Sequence, residues 1–164
     1  EGIEGTLVSH GSSTVPQYIV SEINGLGGDI HDAYGIKKEQ LKEVSKLGIR
    51  KINVDTDIRL AVTRNLRELF RDSSALRDSA SIGPIYKLLV DNPSAFDPRV
   101  FLPPIMDTVM YGNEDVARVV DCIERGVKEV VGTLIVEFDS LGKAPLIESV
   151  SLDEMAERYR TKGI

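Results

Sequence analysis

The 164-residue sequence has no tryptophan, a single cysteine (Cys122) and only 5% aromatic residues. One thiol excludes an intrachain disulfide framework. Nowhere do apolar residues run for the roughly 20 positions that a spanning helix requires, and the N-terminus lacks a basic stretch followed by an apolar one. Neither a membrane partner nor a signal peptide is expected, and the expected compartment is the cytoplasm. Lysine and arginine number 20 against 26 acidic residues, and the net charge of −6 is spread along the chain, which argues against a nucleic-acid partner. An initiator methionine is also lacking. The chain enters an apolar, strand-like run by residue 5, so further sequence upstream is expected. What is present, 41% hydrophobic residues, is enough for one ordinary domain core.

Residues 6–9 are short, apolar and partly β-branched, and they end at a small polar turn, residues 10–14, as a strand entering a loop does. Pro16 suits the first turn of a helix whose apolar positions Val15, Ile19, Val20 and Ile23 recur at helical spacing before Gly25, Gly27 and Gly28. A second helix is predicted over 37–47, with Leu41 and Val44 facing inward and Gly48 as its stop. Residues 49–54 alternate like a second strand and lead into Asp55, Thr56 and Asp57, after which a third helix is predicted over 58–70. This order predicts the α/β class, with a parallel sheet or barrel. Polar clusters follow both strands, which in a (β/α)8 barrel is the end that carries the chemistry.

Residues 72–82 are serine-rich and read as a mobile connector. Beyond it the chain reads as helical. Phe101, Leu102, Ile105, Met106, Val109 and Met110 form one apolar stripe; Val116, Val119, Val120, Ile123, Val127, Val130 and Val131 form another. Ser151 with Glu154 reads as a capping box opening a last helix with Leu152, Met155 and Tyr159 on one face. Such stripes make core or subunit contacts.

Few residues invite chemistry. His10, at a strand end beside Gly11, can point into a barrel mouth as a metal ligand, or can simply bond a backbone carbonyl. Gly11, Ser12 and Ser13 offer unobstructed backbone N–H groups and hydroxyls ahead of a helix N-terminus, which suits a phosphate as well as an ordinary turn. Asn53 and Asp55, two apart, face one side, with Lys51 deeper on that side and in need of a carboxylate partner. Asp55 or Asp57 can equally cap the third helix. Arg59 is a cation in a helix's first turn, against the dipole, which hints at an anionic partner. Asp97 and Arg99 lie in a loop, His31 reads as solvated, and Cys122 reads as a small packed hydrophobe.

Three segments in order carry a resemblance: residues 10–16 (His10, Gly11, Ser12, Ser13, Thr14, Val15, Pro16), residues 48–61 around Asn53-Val54-Asp55-Thr56-Asp57-Ile58-Arg59, and Phe96-Asp97-Pro98-Arg99. They resemble class II fructose-1,6-bisphosphate aldolases of the shorter, B-type subgroup, well over residues 5–70 and fairly over 93–111. The resemblance implies that residues 1–71 are the last two βα units of a TIM barrel, 72–92 a connector or insertion, and 93–164 a mainly helical extension. It implies a Zn2+-dependent, reversible cleavage of fructose 1,6-bisphosphate to the triose phosphates dihydroxyacetone phosphate and glyceraldehyde 3-phosphate. His10 would be a zinc ligand, and the metal would polarise the ketone as a Lewis acid. Gly11, Ser13, Asp55 and Thr56 would hold the ketose phosphate, Gly11 and Ser13 also lying near a monovalent cation, Na+ or K+. Asn53 would contact the enediolate. Arg59 would reach the other phosphate, in the family from a neighbouring subunit of a homo-oligomer, with Asp97 and Arg99 nearby for substrate selection.

The family's other zinc-binding histidines and its catalytic aspartate would precede Glu1, so a companion chain or further segment carrying the N-terminal barrel half is expected. Residues 72–92 and the tail after Gly132 are longer than the family pattern. Two alternatives stand beside this reading: an aldolase for tagatose 1,6-bisphosphate or another ketose bisphosphate, and a non-catalytic phosphosugar-binding or assembly module.

Overall fold

In the computed structural model, which describes residues 5–107, 113–147 and 149–163, two short strands, β1 (Leu7–Ser9) and β2 (Ile49–Ile52), pair in parallel. Leu7 lies opposite Ile49 and Ser9 opposite Ile52. A parallel pair needs a crossover. Helices α1 (Gln17–Gly25) and α2 (Lys38–Lys46) supply it. Pro16 sits one position ahead of the first turn, at the N-cap, where its carbonyl accepts the first helical bonds from Ile19 and Val20. β2 is shorter than the run 49–54 suggests, but the pairing continues as loop contacts: the Asn53 N–H donates to the Ser9 carbonyl at 3.0 Å, and Ser12 N–H to the Asn53 carbonyl at 3.2 Å.

Helix α3 (Thr56–Asp72) starts two residues before the predicted position. The reason is not local. The Ser13 hydroxyl, more than forty residues upstream, accepts from the Asp55 and Thr56 N–H groups at 3.1 and 3.0 Å and so satisfies the orphan donors of the helix start. α3 is the central element of the chain. Leu60 and Ala61 pack with Ile19, Val20 and Ile23 of α1 and with Val130, while Val62, Leu66 and Phe70 serve a second cluster on the other side.

Residues 72–82 are part of that second cluster, in contrast to the mobile connector predicted from their composition. They hold a short helix, α4 (Ser74–Arg77), capped by Ser73, and they bury Leu76 and Ile82 before α5 (Gly83–Asp91) begins. Two apolar anchors outweigh the serines, because the serines find partners: Ser79 donates to Asp115 at 2.5 Å, and Ser81 accepts from Asn113 at 2.8 Å. Residues 72–92 therefore hold α4 and α5, with Leu76, Ile82, Ile85 and Leu89 in the core.

A short helix, α6 (Pro98–Phe101), and a 3-10 turn, Pro103–Ile105, bury Phe101 and Ile105, whereas Met106 is exposed; Val109 and Met110 lie outside the described residues. The long helix α7 (Glu114–Glu137) lies against α3, and Gly126 makes this approach possible, since an added Cβ would stand 3.0 Å from the Ala61 carbonyl carbon and the Val62 nitrogen. Val116, Val119 and Val130 of the expected stripe are buried, and Cys122 is fully buried among them; Val120 and Val131 are instead exposed, so the buried stripe is narrower than the sequence pattern. Arg64 ties three helices together by reaching Glu22 at 2.8 Å and Glu129, which also accepts from the Tyr18 hydroxyl at 3.0 Å. The last helix, α8 (Leu152–Thr161), is capped by Ser151, which accepts from the Glu154 N–H at 3.2 Å; Leu152, Met155 and Tyr159 are exposed. Among the described residues no helix is long and apolar enough to cross a membrane.

Candidate active site

Both polar loops leave the same end of the parallel pair, because parallel strands present their C-terminal ends together. His10 follows β1 directly and Asn53 follows β2 directly, and their side chains meet, Asn53 Nδ2 lying 2.9 Å from His10 Nδ1. This contact fixes the ring, and Nε2 keeps its lone pair for another partner only in the tautomer in which Nδ1–H donates, to the Asn53 amide turned so that its oxygen faces the ring. His10 is exposed. It offers a single metal donor, and among the described residues no group of three histidine, cysteine or acidic side chains could hold an ion. A lone histidine can be one of the four donors of a tetrahedral zinc site, and these residues do not by themselves make one. Lys51 is exposed and makes no ion pair among the described residues, contrary to the carboxylate partner expected for it.

Gly11 adopts φ +64, a left-handed conformation that glycine takes without steric cost. The following residues are held by Asp57, which is 2% exposed. Its carboxylate accepts from Thr14 N–H at 3.0 Å, from the Thr14 hydroxyl at 2.7 Å and from Val15 N–H at 2.8 Å. Val15 itself sits at φ +49, a conformation that costs a β-branched residue about 1–2 kcal/mol. Asp57 thus acts not as a cap of its own helix but as the tie between the β1 loop and the start of α3. Ser13, already bonded to the Asp55 and Thr56 N–H groups, occupies the place where a phosphate oxygen could accept from them.

Arg59 lies within 2.8 Å (Nε to Oδ1) of Asp55 and 2.7 Å (Nη1 to Oδ2) of Asp97, and Asp97 in turn accepts from Arg99 Nη2 at 2.6 Å. The anionic partners hinted at by a cation in the first turn are, in this structure, two carboxylates of the chain. A phosphate arriving here would compete with them for Arg59. Hydrogen bonds from the Arg99 side chain and then its backbone N–H, followed by the charges of Arg59 and Arg99, hold the Asp97 carboxyl at about 2, below its ordinary 3.8, although burial opposes this. A depressed carboxyl contributes stability that is fully present above about pH 4 and is lost as pH falls towards 2. Measured melting temperatures should accordingly favour the native protein over Asp97→Asn at neutral pH, and the gap should close between pH 4 and 2. A gap that persists at pH 2 would show the ion pairs contribute nothing.

Sequence reasoning brought together His10, Gly11, Ser13, Asn53, Asp55, Thr56, Arg59, Asp97 and Arg99, and the structure places them around the two loops and the start of α3. Two supporting residues escaped it. Asp57 entered only as a possible cap. Gly35 was not singled out at all, yet an added Cβ would lie 2.6 Å from the Thr14 carbonyl oxygen, and the neighbouring Ile36 N–H donates to Ser13 O at 3.1 Å. Nothing in the local pattern marks Gly35, since its need arises from a loop twenty residues upstream. Gly35→Ala should cost about 1–3 kcal/mol and shift the amide NMR resonances of residues 13 and 14; resonances and urea midpoint left as they were would contradict this close approach.

Comparison with known proteins bears on this geometry. The family model described as fructose-bisphosphate aldolase class-II matches residues 3–143. Curated relatives include the fructose-bisphosphate aldolase of Xanthobacter flavus, 38% identical over 153 residues, covering 93% of this chain and 33% of the relative. Those of Nostoc sp. and Pseudomonas aeruginosa are 34% and 36% identical, again over 93% of this chain and over 32% and 33% of their own lengths. The chain thus spans about a third of the length of these relatives. With the family model covering most of its residues, the chain belongs to the class-II fructose-bisphosphate aldolase family.

Proposed function

We propose that this chain contributes the phosphate loops and one zinc ligand to an aldolase that reversibly cleaves fructose 1,6-bisphosphate into dihydroxyacetone phosphate and glyceraldehyde 3-phosphate. The observation that carries this is the His10–Asn53 contact of 2.9 Å at the C-terminal ends of two parallel strands, beside Gly11, Ser13 and the first N–H groups of α3. In this reading residues 1–71 are two βα units of a TIM barrel, completed by a companion polypeptide or segment carrying the other units, in a cytoplasmic homo-oligomer. A zinc ion bound by His10 and donors from that segment would supply Lewis-acid polarisation of the ketone.

The chain's own residues would do the rest. Asn53 would hold the His10 ring and orient the reacting oxygens of the ketose. Gly11, Ser13, Asp55 and Thr56 would take one phosphate once the Ser13 hydroxyl releases the helix N–H groups, with Na+ or K+ near Gly11 and Ser13. Arg59 would exchange Asp55 and Asp97 for the second phosphate, with Asp97 and Arg99 setting its reach. Retaining part of the binding energy for this exchange favours the bisphosphate over a monophosphate.

The test is to reassemble the chain with a polypeptide corresponding to the remaining two-thirds of a relative and to assay cleavage of fructose 1,6-bisphosphate and its tagatose epimer. Activity should depend on reassembly, vanish in excess EDTA, return with Zn2+ and favour the fructose epimer in kcat/KM. Full activity in EDTA would sink the metal reading. A tagatose preference would reassign the substrate, and a folded, zinc-loaded but inactive assembly would favour a non-catalytic phosphosugar-binding module.

A further inference from the structure

Arg67 lies eight residues beyond Arg59 on α3, which is about 12 Å along the axis and about 80° around it. It is 6% exposed, and no carboxylate lies within ion-pair distance of it among the described residues. A buried guanidinium without a counter-charge is unusual, because desolvation is costly unless the charge is paired. Part of the explanation is structural. Nη2 donates to the carbonyls of Leu89 and Pro93 at 3.2 and 3.0 Å, at and just past the C-terminal end of α5, where a cation is favoured by the dipole. The remainder of the group is not accounted for, since Nε is buried without an acceptor. Burial alone drives the Arg67 pKa downward, with no compensating neighbour.

Beside it lies a cleft of about 270 Å³ walled by Leu26, Phe70, Tyr86, Leu89 and Val90. Its volume sits just below the range typical of small-molecule sites, about 300–1,000 Å³. The rings of Phe70 and Tyr86 stand 5.5 Å apart, tilted by 44°, and the guanidinium of Arg77 covers Tyr86 at 5.8 Å from its centroid. Arg77 Nε is likewise buried without a partner. The cleft therefore joins an apolar, partly aromatic wall to the guanidinium of Arg67, with Arg77 behind the Tyr86 ring. Arg67 is the guanidinium that lines the cleft, and one guanidinium in so small a space suits a monoanion with a short body, because a larger or doubly charged ligand would leave charge or surface unmatched.

We propose that this cleft binds a small monocarboxylate with an aromatic or branched apolar body, its carboxylate on Arg67 and its body against Phe70 and Tyr86. The proposal does not rest on the aldolase reading, since neither Arg67 nor the cleft takes part in it. Ligand occupancy would also brace the end of α5 against α1 and α3.

The experiment titrates the labelled full chain with benzoate, with neutral benzyl alcohol and with inorganic phosphate, following the Arg67 side-chain Nε–H resonance by NMR. Benzoate should shift that resonance saturably, with benzyl alcohol and phosphate each at least tenfold weaker. Val90 is more than half exposed, so Val90→Trp should fill the cleft without disturbing the fold and should weaken benzoate at least tenfold, while Arg67 keeps its bonds to Leu89 and Pro93. The proposal is overturned if benzoate produces no saturable shift at Arg67, if benzyl alcohol or phosphate binds as well, or if Val90→Trp leaves benzoate affinity unchanged.

Discussion

Asp57→Ala is expected to destabilise the chain by about 3–5 kcal/mol, the range found when one partner of a buried charged network is removed. Three donors would lose their acceptor at once: the N–H groups of Thr14 and Val15 and the Thr14 hydroxyl. Val15 would then no longer be held at φ +49, and relaxing it would draw the β1 loop away from α3. Denaturant unfolding measures the first effect. Amide exchange at residues 11–15 measures the second, and it should rise far more than exchange in α5, which has no link to Asp57. Asp57→Asn separates charge from shape: it keeps one acceptor oxygen and should recover part of the loss. If Asp57→Ala unfolds at the same denaturant concentration as the native chain, the two loops are held together by something other than this carboxylate.

His10→Ala should do the opposite, leaving stability within about 0.5 kcal/mol because the side chain is exposed, while removing activity from the reassembled protein. Lewis-acid stabilisation is worth several kcal/mol, and about 4 kcal/mol corresponds to about 10³-fold in kcat/KM. Asn53→Ala, which removes the contact that orients the ring and, in the proposed reading, the amide that orients the ketose, should cost at least about 10–100-fold. Zinc content of the purified assemblies gives a readout independent of turnover: it should be lost in His10→Ala and weakened in Asn53→Ala. Stoichiometric zinc together with native turnover in His10→Ala would remove His10 from the metal site altogether.

The layout of the candidate site was legible in the sequence because its residues lie next to strand ends, and a strand's direction fixes which end its loop occupies. His10 and Asn53 could be placed on one edge from the parallel order alone. The bond between them, however, depends on register: Ser9 pairs with Ile52, and a slip of one residue would turn Asn53 to the other face. Arg59 shows the limit of charge reasoning. Its position against the helix dipole pointed to an anionic partner, and local pattern could not reveal that Asp97, thirty-eight residues on, lies within 2.7 Å.

The serine-rich stretch shows a related limit. Composition averages over residues 72–82, whereas packing depends on the two positions, Leu76 and Ile82, that reach the core. Periodicity likewise overestimated the buried face of α7, where Val120 and Val131 stay exposed, since spacing defines a stripe but not how wide a neighbour covers it.

The sequence by itself determined the parallel βα order, the polar character of both strand-end loops and the types of residue they carry, because these follow from local periodicity and from what each side chain can bond. Only the tertiary structure decided that Ser13 starts α3, that Asp57 and Gly35 shape a loop some twenty or more residues away, and that Arg67 is buried without a carboxylate. Each of these joins groups far apart in the chain, and such pairings are set by the packing of whole helices, which no short window of residues contains.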